Sequence, residues 1–228
     1  IGELCGHGPS LETDIACTNF SLDLFGHVRS YFQYAAKIAG DERTEDDIAM
    51  LRKERDYKNV LLVEQPNSNF AYTIGRQFLF DVYHLTFLAE LQKSTDLTLS
   101  AIANKCIKEV SYHERFSSDW VKRLGDGTVE SKEKMQEAIN DLWTYTDELF
   151  HQTKADKAMV LESVGVDVTK LKGDYYKRVK DLLEEATLKI PESKWFQKGG
   201  KEGVHSEHLG YLLSDLQYMQ RTYPNMEW

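Results

Sequence analysis

The chain has 228 residues, 41% hydrophobic and 29% charged, with four prolines. That is enough apolar material for one large core without requiring a second. A formal net charge of −9 argues against a nucleic-acid or anionic-membrane surface, no apolar run approaches the roughly 20 residues that span a bilayer, and three scattered cysteines (Cys5, Cys17, Cys106) follow reducing-compartment usage, so a cytoplasmic location is expected.

Residues 1–7 are expected to be the tail of a helix whose body lies before residue 1, broken at Gly8-Pro9. Ser10 suits the N-cap of a long helix over 11–39, ended by Gly40, with an inward stripe of Phe20, Leu24, His27, Tyr31, Ala35 and Ile38. A charged helix around 44–57 and the apolar run 60–63 follow, and then turn chemistry at 64–69. A third helix over about 69–93 aligns Phe70, Ile74, Phe78, Asp81, Leu85 and Leu88; Asp81 interrupts an apolar line and should face inward. The stretch 103–124 reads as a long helix with Ile102, Cys106, Val110, His113, Trp120 and Leu124 in one stripe, stopped by Gly125-Asp126-Gly127. A fourth long helix over about 131–152 turns Met135, Ile139, Leu142, Trp143, Thr146 and Leu149 inward. A short helix at 155–165, a charged amphipathic helix at 170–187, a glycine loop at 199–203 and a last helix at about 205–222, with Leu209, Leu212, Leu216 and Met219 inward, complete the chain. The expected class is all-α: one domain over 1–228, with a bundle at about 11–152 and a helical extension at about 155–228.

Three helices each place one titratable group in an apolar stripe: His27, Asp81 and His113. In carboxylate-bridged di-metal bundles, two helices carry Glu-x-x-His so that both side chains point inward. Here each histidine follows an aliphatic residue by three, Leu24 and Val110, and an acid by four, Asp23 and Glu109. Two divalent cations in a dry bundle need about four carboxylates, because unpaired buried charge is very unfavourable. Asp81 with one further acid would leave the site about two short, so no metal and no cofactor is expected. Two other readings stay open. In one, a metal sits between Asp23/His27 and Glu109/His113, beside the pair Asp81-x-x-His84. In the other, Asp81 hydrogen-bonds one or both histidines, or a lysine or arginine reaches in, giving a self-satisfied polar cluster.

Elsewhere, His205-x-x-His208 is expected to be a surface or capping pair, and Cys5, His7 and Cys17 lack a fourth zinc ligand. Gly199-Gly200-Lys201 has no preceding strand that would make it a phosphate loop. Lys170, Lys172, Lys177, Arg178 and Lys180 form a solvated basic face.

Five segments carry a family likeness: LLVEQPNSNFAYTI (61–74), KEVSYHERFS (108–117), KMQEAIN followed by LW (134–143), EATLKIP (185–191) and GGKEGVHSEHLGYLLSDLQYMQR (199–221). Together, over essentially the full length, they resemble the C-subunit family of the bacterial multicomponent 1,2-phenylacetyl-CoA epoxidases. That family is similar to its own catalytic A subunit, a ferritin-like di-iron protein in which the helices matching 22–27 and 108–113 carry Glu-x-x-His. The resemblance implies a ferritin-like bundle whose glutamate positions fall on Leu24 and Val110, whose histidines fall on His27 and His113, and whose third-helix acid is Asp81. It also implies a non-catalytic structural subunit that pairs with the di-iron catalytic subunit, alongside a small subunit and a flavin/iron–sulfur reductase, in a complex that epoxidises the aromatic ring of phenylacetyl-CoA with O2 and reductant. Two alternatives are weighed against it: a stand-alone ferritin-like di-metal oxidase with an unusual ligand set, and a homodimeric scaffold whose C-terminal helices hold a coenzyme-A-like ligand.

Overall fold

The structure, a computed structural model, describes residues 1–224 and 226. It is all-α, as the periodicity predicts, with no strand among the described residues. The helices are α1 (Leu11–Ala39), α2 (Glu45–Met50), α3 (Phe70–Leu91), α4 (Leu97–Gly125), α5 (Val129–Trp143), α6 (Lys154–Leu161), α7 (Val168–Glu185) and α8 (Glu207–Thr222), joined by short 3-10 turns.

Side chains just before the helices fix most of their starts. Ser10 accepts from the Thr13 amide, Asn69 from those of Ala71 and Tyr72, and Asp96 from those of Thr98 and Leu99, each satisfying donors that the first turn leaves without partners. Thr44 and Thr153 open α2 and α6 with reciprocal capping boxes. Gly40 ends α1 in the left-handed region, where a glycine meets no Cβ penalty.

α3 is the central helix. It packs against α4, α5 and α7, while α1 lies along α4. Phe78, Leu79 and Val82 of α3 meet Cys106, Val110 and Val121 of α4, Met135, Ile139 and Leu142 of α5, and Tyr175, Val179 and Leu183 of α7 in one sealed core. The Tyr175 hydroxyl donates to the Leu79 carbonyl at 3.1 Å, so α7 is built into the same core as α3–α5.

Four expectations change. The charged stretch 44–57 is helical only to Met50, because Arg52 folds back: its Nε donates to the Ile48 carbonyl at 2.6 Å and its guanidinium stacks on Tyr57. The stripe of α1 ends at Tyr31; Ala35 and Ile38 are exposed. The fourth long helix stops at Trp143 rather than continuing to 152, and residues 147–150 form a 3-10 turn that sends Glu148 inward. The Glu148 carboxylate is buried and accepts from the backbone N–H groups of Leu61 (2.6 Å), Gly199 (2.7 Å) and Gly200 (2.8 Å). Gly200 is required there, since a Cβ would sit 2.2 Å from the Asn59 carbonyl oxygen.

The last change is the phase of α8. Leu209, Leu213 and Gln217 face inward, while Leu212, Leu216 and Met219 are exposed. Polar anchors set that phase: Gln217 Nε2 donates to the Arg52 carbonyl (2.9 Å) and to the Tyr57 hydroxyl (3.0 Å), and Glu64 accepts from the Ser206 amide and hydroxyl.

Glu148→Ala leaves three backbone donors without their acceptor and is expected to cost about 2–4 kcal/mol. Amide exchange should accelerate at Leu61, Gly199 and Gly200; unchanged exchange there would contradict the anchoring role.

Candidate functional site

The acid–histidine pairs of α1 and α4 meet across the seam between the helices. Spacing of four puts Asp23 and His27 on one face of α1, and Glu109 and His113 on one face of α4. The two helices run antiparallel, so the pairs exchange partners. The Glu109 carboxylate accepts from His27 Nε2 at 2.6 Å, and the Asp23 carboxylate accepts from His113 Nε2 at 2.9 Å. Both histidines are buried, whereas Asp23 and Glu109 are about one-third exposed.

This bonding fixes the chemistry of the rings. A carboxylate accepts, so the Nε2 of each ring carries a proton toward its acid and the Nδ1 is left on the buried side. The Nδ1 atoms of His27, His113 and His84 are buried with no hydrogen-bond partner. His84 lies with its ring 6.0 Å from that of His27. Burial above all, then repulsion from His27 and His113, pushes its pKa down to about 3. Burial lowers that of His113 too, outweighing the hydrogen bond to Asp23, and Phe20 closes over its ring at 4.3 Å.

Asp81 does face inward and is fully buried. Neither a histidine nor an incoming lysine or arginine bonds it. Instead its Oδ1 accepts from Gln77 Nε2 at 2.5 Å and its Oδ2 accepts from the Ser117 hydroxyl at 2.9 Å. Burial drives its pKa well above the carboxylate range, the Ser117 and Gln77 bonds oppose this, and nearby Glu114 adds to the rise. The arginine that does reach toward the buried seam, Arg178 of α7, goes to Glu114, with bonds of 2.7 and 3.0 Å. Sequence reasoning does not single out Gln77 or Glu114. Gln77 has a readable signal, lying one turn before Asp81 on the same helix face.

The two aliphatic positions differ. Val110 is completely buried in the core, whereas Leu24 is only half-buried. Among the described residues, no three His, Cys, Asp or Glu side chains converge in a metal-holding geometry.

The remaining sequence candidates also find places. His205 is not a surface residue. Its side chain is sealed, with Nδ1 2.6 Å from Glu64 Oε1 and Nε2 donating to the Tyr57 carbonyl at 2.9 Å. The Gly199 and Gly200 amides, arranged as an anion cradle, are filled by the protein's own Glu148. Cys5, Cys17 and Cys106 are free thiols. Of the basic stretch, Lys172 pairs with Asp147, Arg178 with Glu114 and Lys180 with Glu184.

Two titration effects of opposite sign follow. His84 stays neutral when folded, so its share of stability is present above 6.5 and is lost as pH falls toward about 3. Asp81 holds its proton when folded, so its share is complete below 3.8 and is lost as pH rises. Asp81→Asn keeps the shape and both partners without an ionisable proton. Denaturant titrations should find it at least as stable as the parent at pH 8, with a margin that shrinks toward pH 4. Asp81→Ala should lose about 1–3 kcal/mol throughout.

The family model described as "Phenylacetic acid catabolic protein" matches residues 1–228. The C subunit of the 1,2-phenylacetyl-CoA epoxidase of Escherichia coli (strain K12) is 47% identical over 228 residues, covering all of this chain and 92% of that protein.

Proposed function

The chain belongs to the phenylacetic acid catabolic protein family, and on that premise we propose that it is a non-catalytic structural subunit of a 1,2-phenylacetyl-CoA epoxidase, pairing with a di-iron catalytic subunit and working alongside the other subunits of a cytoplasmic complex. The observation that carries this reading is the donor set between α1, α3 and α4. A di-metal centre needs about four carboxylates. Here Val110 supplies none and Leu24 is aliphatic, while Asp23 and Glu109 are engaged by histidine Nε2 atoms and Asp81 is held toward its neutral form. These residues do not fit a di-metal cofactor, and no chemical step is assigned to them.

Pairing is supported by α8. After its inward residues are buried, Leu212 and Leu216 remain half-exposed, with Tyr211, Tyr218 and Met219 exposed beside them. An apolar face of this kind is a frequent mark of a protein interface. We take the chain to fold as one domain, because α7 completes the core of α3–α5.

One observation favours a second reading, a stand-alone di-metal oxidase with an unusual ligand set: the three buried Nδ1 atoms without partners are donors a cation could use. Elemental analysis separates the two. The structural subunit should purify with far less than one iron or manganese per chain, and near-stoichiometric metal that is lost in His113→Ala would overturn it.

Val110→Glu is expected to lose about 1–3 kcal/mol, because the new carboxylate is buried without cations. The paired change Leu212→Asp with Leu216→Asp should leave the melting temperature of the isolated chain within a few degrees and abolish co-purification with the catalytic subunit. Retained co-purification would remove α8 from the interface.

A further inference from the structure

A cleft of about 790 Å³ opens between the turn at 147–152, α6, the start of α7 and the segment 194–198. None of the seam residues lines it, and the proposed function makes no use of it. Its rim carries Lys157, Lys172, Lys194 and Lys198, and Asp147 and Glu148 are the acids lining it. Neither acid is free: Glu148 is filled by three backbone N–H groups, and Asp147 pairs with Lys172. Among the described residues, Lys157, Lys194 and Lys198 have no ion-pair partner, so the cleft is a local positive site on a chain of net charge −9.

Trp195 stands beside these lysines and is 63% exposed, although Trp143 is buried and Trp120 packs against the core. Its backbone is held in place. Ser193 Oγ accepts from the Trp195 amide and donates to the Trp195 carbonyl, and the Gln197 amide donates to the Thr144 carbonyl at 2.8 Å. An open indole on an anchored backbone, next to unpaired ammonium groups, combines two recognition elements: a stacking surface for a flat base and cations for phosphate. The volume lies in the range of small-molecule sites.

We propose that this cleft binds a phosphorylated nucleotide, with the base stacked on Trp195 and the phosphates among Lys157, Lys194 and Lys198. A nucleic acid is the poorer fit, because the overall charge of −9 repels a long polyanion while a single nucleotide feels mainly the local lysines. A coenzyme A thioester carries such a group at its nucleotide end; that source rests on the functional reading above, and a free nucleoside triphosphate is the other source of the same chemistry.

Isothermal titration of the full chain at low salt, with coenzyme A, adenosine 3′,5′-bisphosphate, ATP, adenosine and pyrophosphate, tests this. Coenzyme A and the bisphosphate should bind, with affinity falling as salt rises. Adenosine and pyrophosphate should each bind at least tenfold more weakly, since each offers only one of the two recognition elements. Tighter binding of ATP than of coenzyme A would keep the nucleotide site and assign the free nucleotide as its source. Lys194→Glu with Lys198→Glu should weaken bisphosphate binding at least tenfold, and Trp195→Ala at least fivefold, with unchanged melting temperatures. No binding of any phosphorylated probe, or affinities untouched by both variants, overturns the site. Co-purification with the catalytic subunit, read on the same variants, reports on pairing separately.

Discussion

The exchange of partners between His27–Glu109 and His113–Asp23 is the constraint around which the α1–α4 seam is organised. Two buried imidazoles cannot face each other across an apolar seam without losing hydrogen bonds that water would have supplied. Because the helices are antiparallel, a repeated acid–x–x–x–histidine pattern solves the problem twice with one geometry. Each ring keeps one satisfied nitrogen at the half-exposed edge. The other nitrogen is buried without a partner. The seam is therefore polar at its rim, and α1 is tied to the bundle by directed bonds as well as by Phe20.

The same logic governs the other buried acids. Asp81 is met by an amide and a hydroxyl, Glu114 by a guanidinium, Glu148 by three backbone amides and Glu64 by an imidazole, a hydroxyl and further amides. Apart from Gln77, these donors come from distant parts of the chain, so together they fix how α7, α8 and the irregular segments sit on the bundle.

The long helices, the ends of α1 and the inward position of Asp81 can be read from periodicity and from Ser10 and Gly40, since those signals are local. Val110 is interior, as its stripe predicts, whereas Leu24 is only half-buried. What stays hidden depends on distant partners. The stop of α5 at Trp143 follows from backbone donors at 61 and 199–200 that Glu148 must reach, and no window around residue 148 contains them. The phase of α8 is ambiguous in sequence because the helix has apolar residues on two faces, and Gln217, not a leucine, selects the buried one. Periodicity leaves the partner of Asp81 open between a histidine and a lysine or arginine, because sequence shows who shares a stripe and not who stands nearer; Asp23 and Glu109 reach the rings first.

Glu148 gathers amides from positions 61 and 199–200, and Glu64 then holds 205 and 206. Both clamps need the far end of the polypeptide to have arrived. During synthesis the central helices and the anchors at Arg52, Tyr57 and Glu64 are made first, and α8, made after them, settles onto a surface already in place. Its outer leucines thus acquire a defined orientation only once α8 has docked on those anchors, and any assembly step that reads them would discriminate against half-folded copies without a separate inspection device.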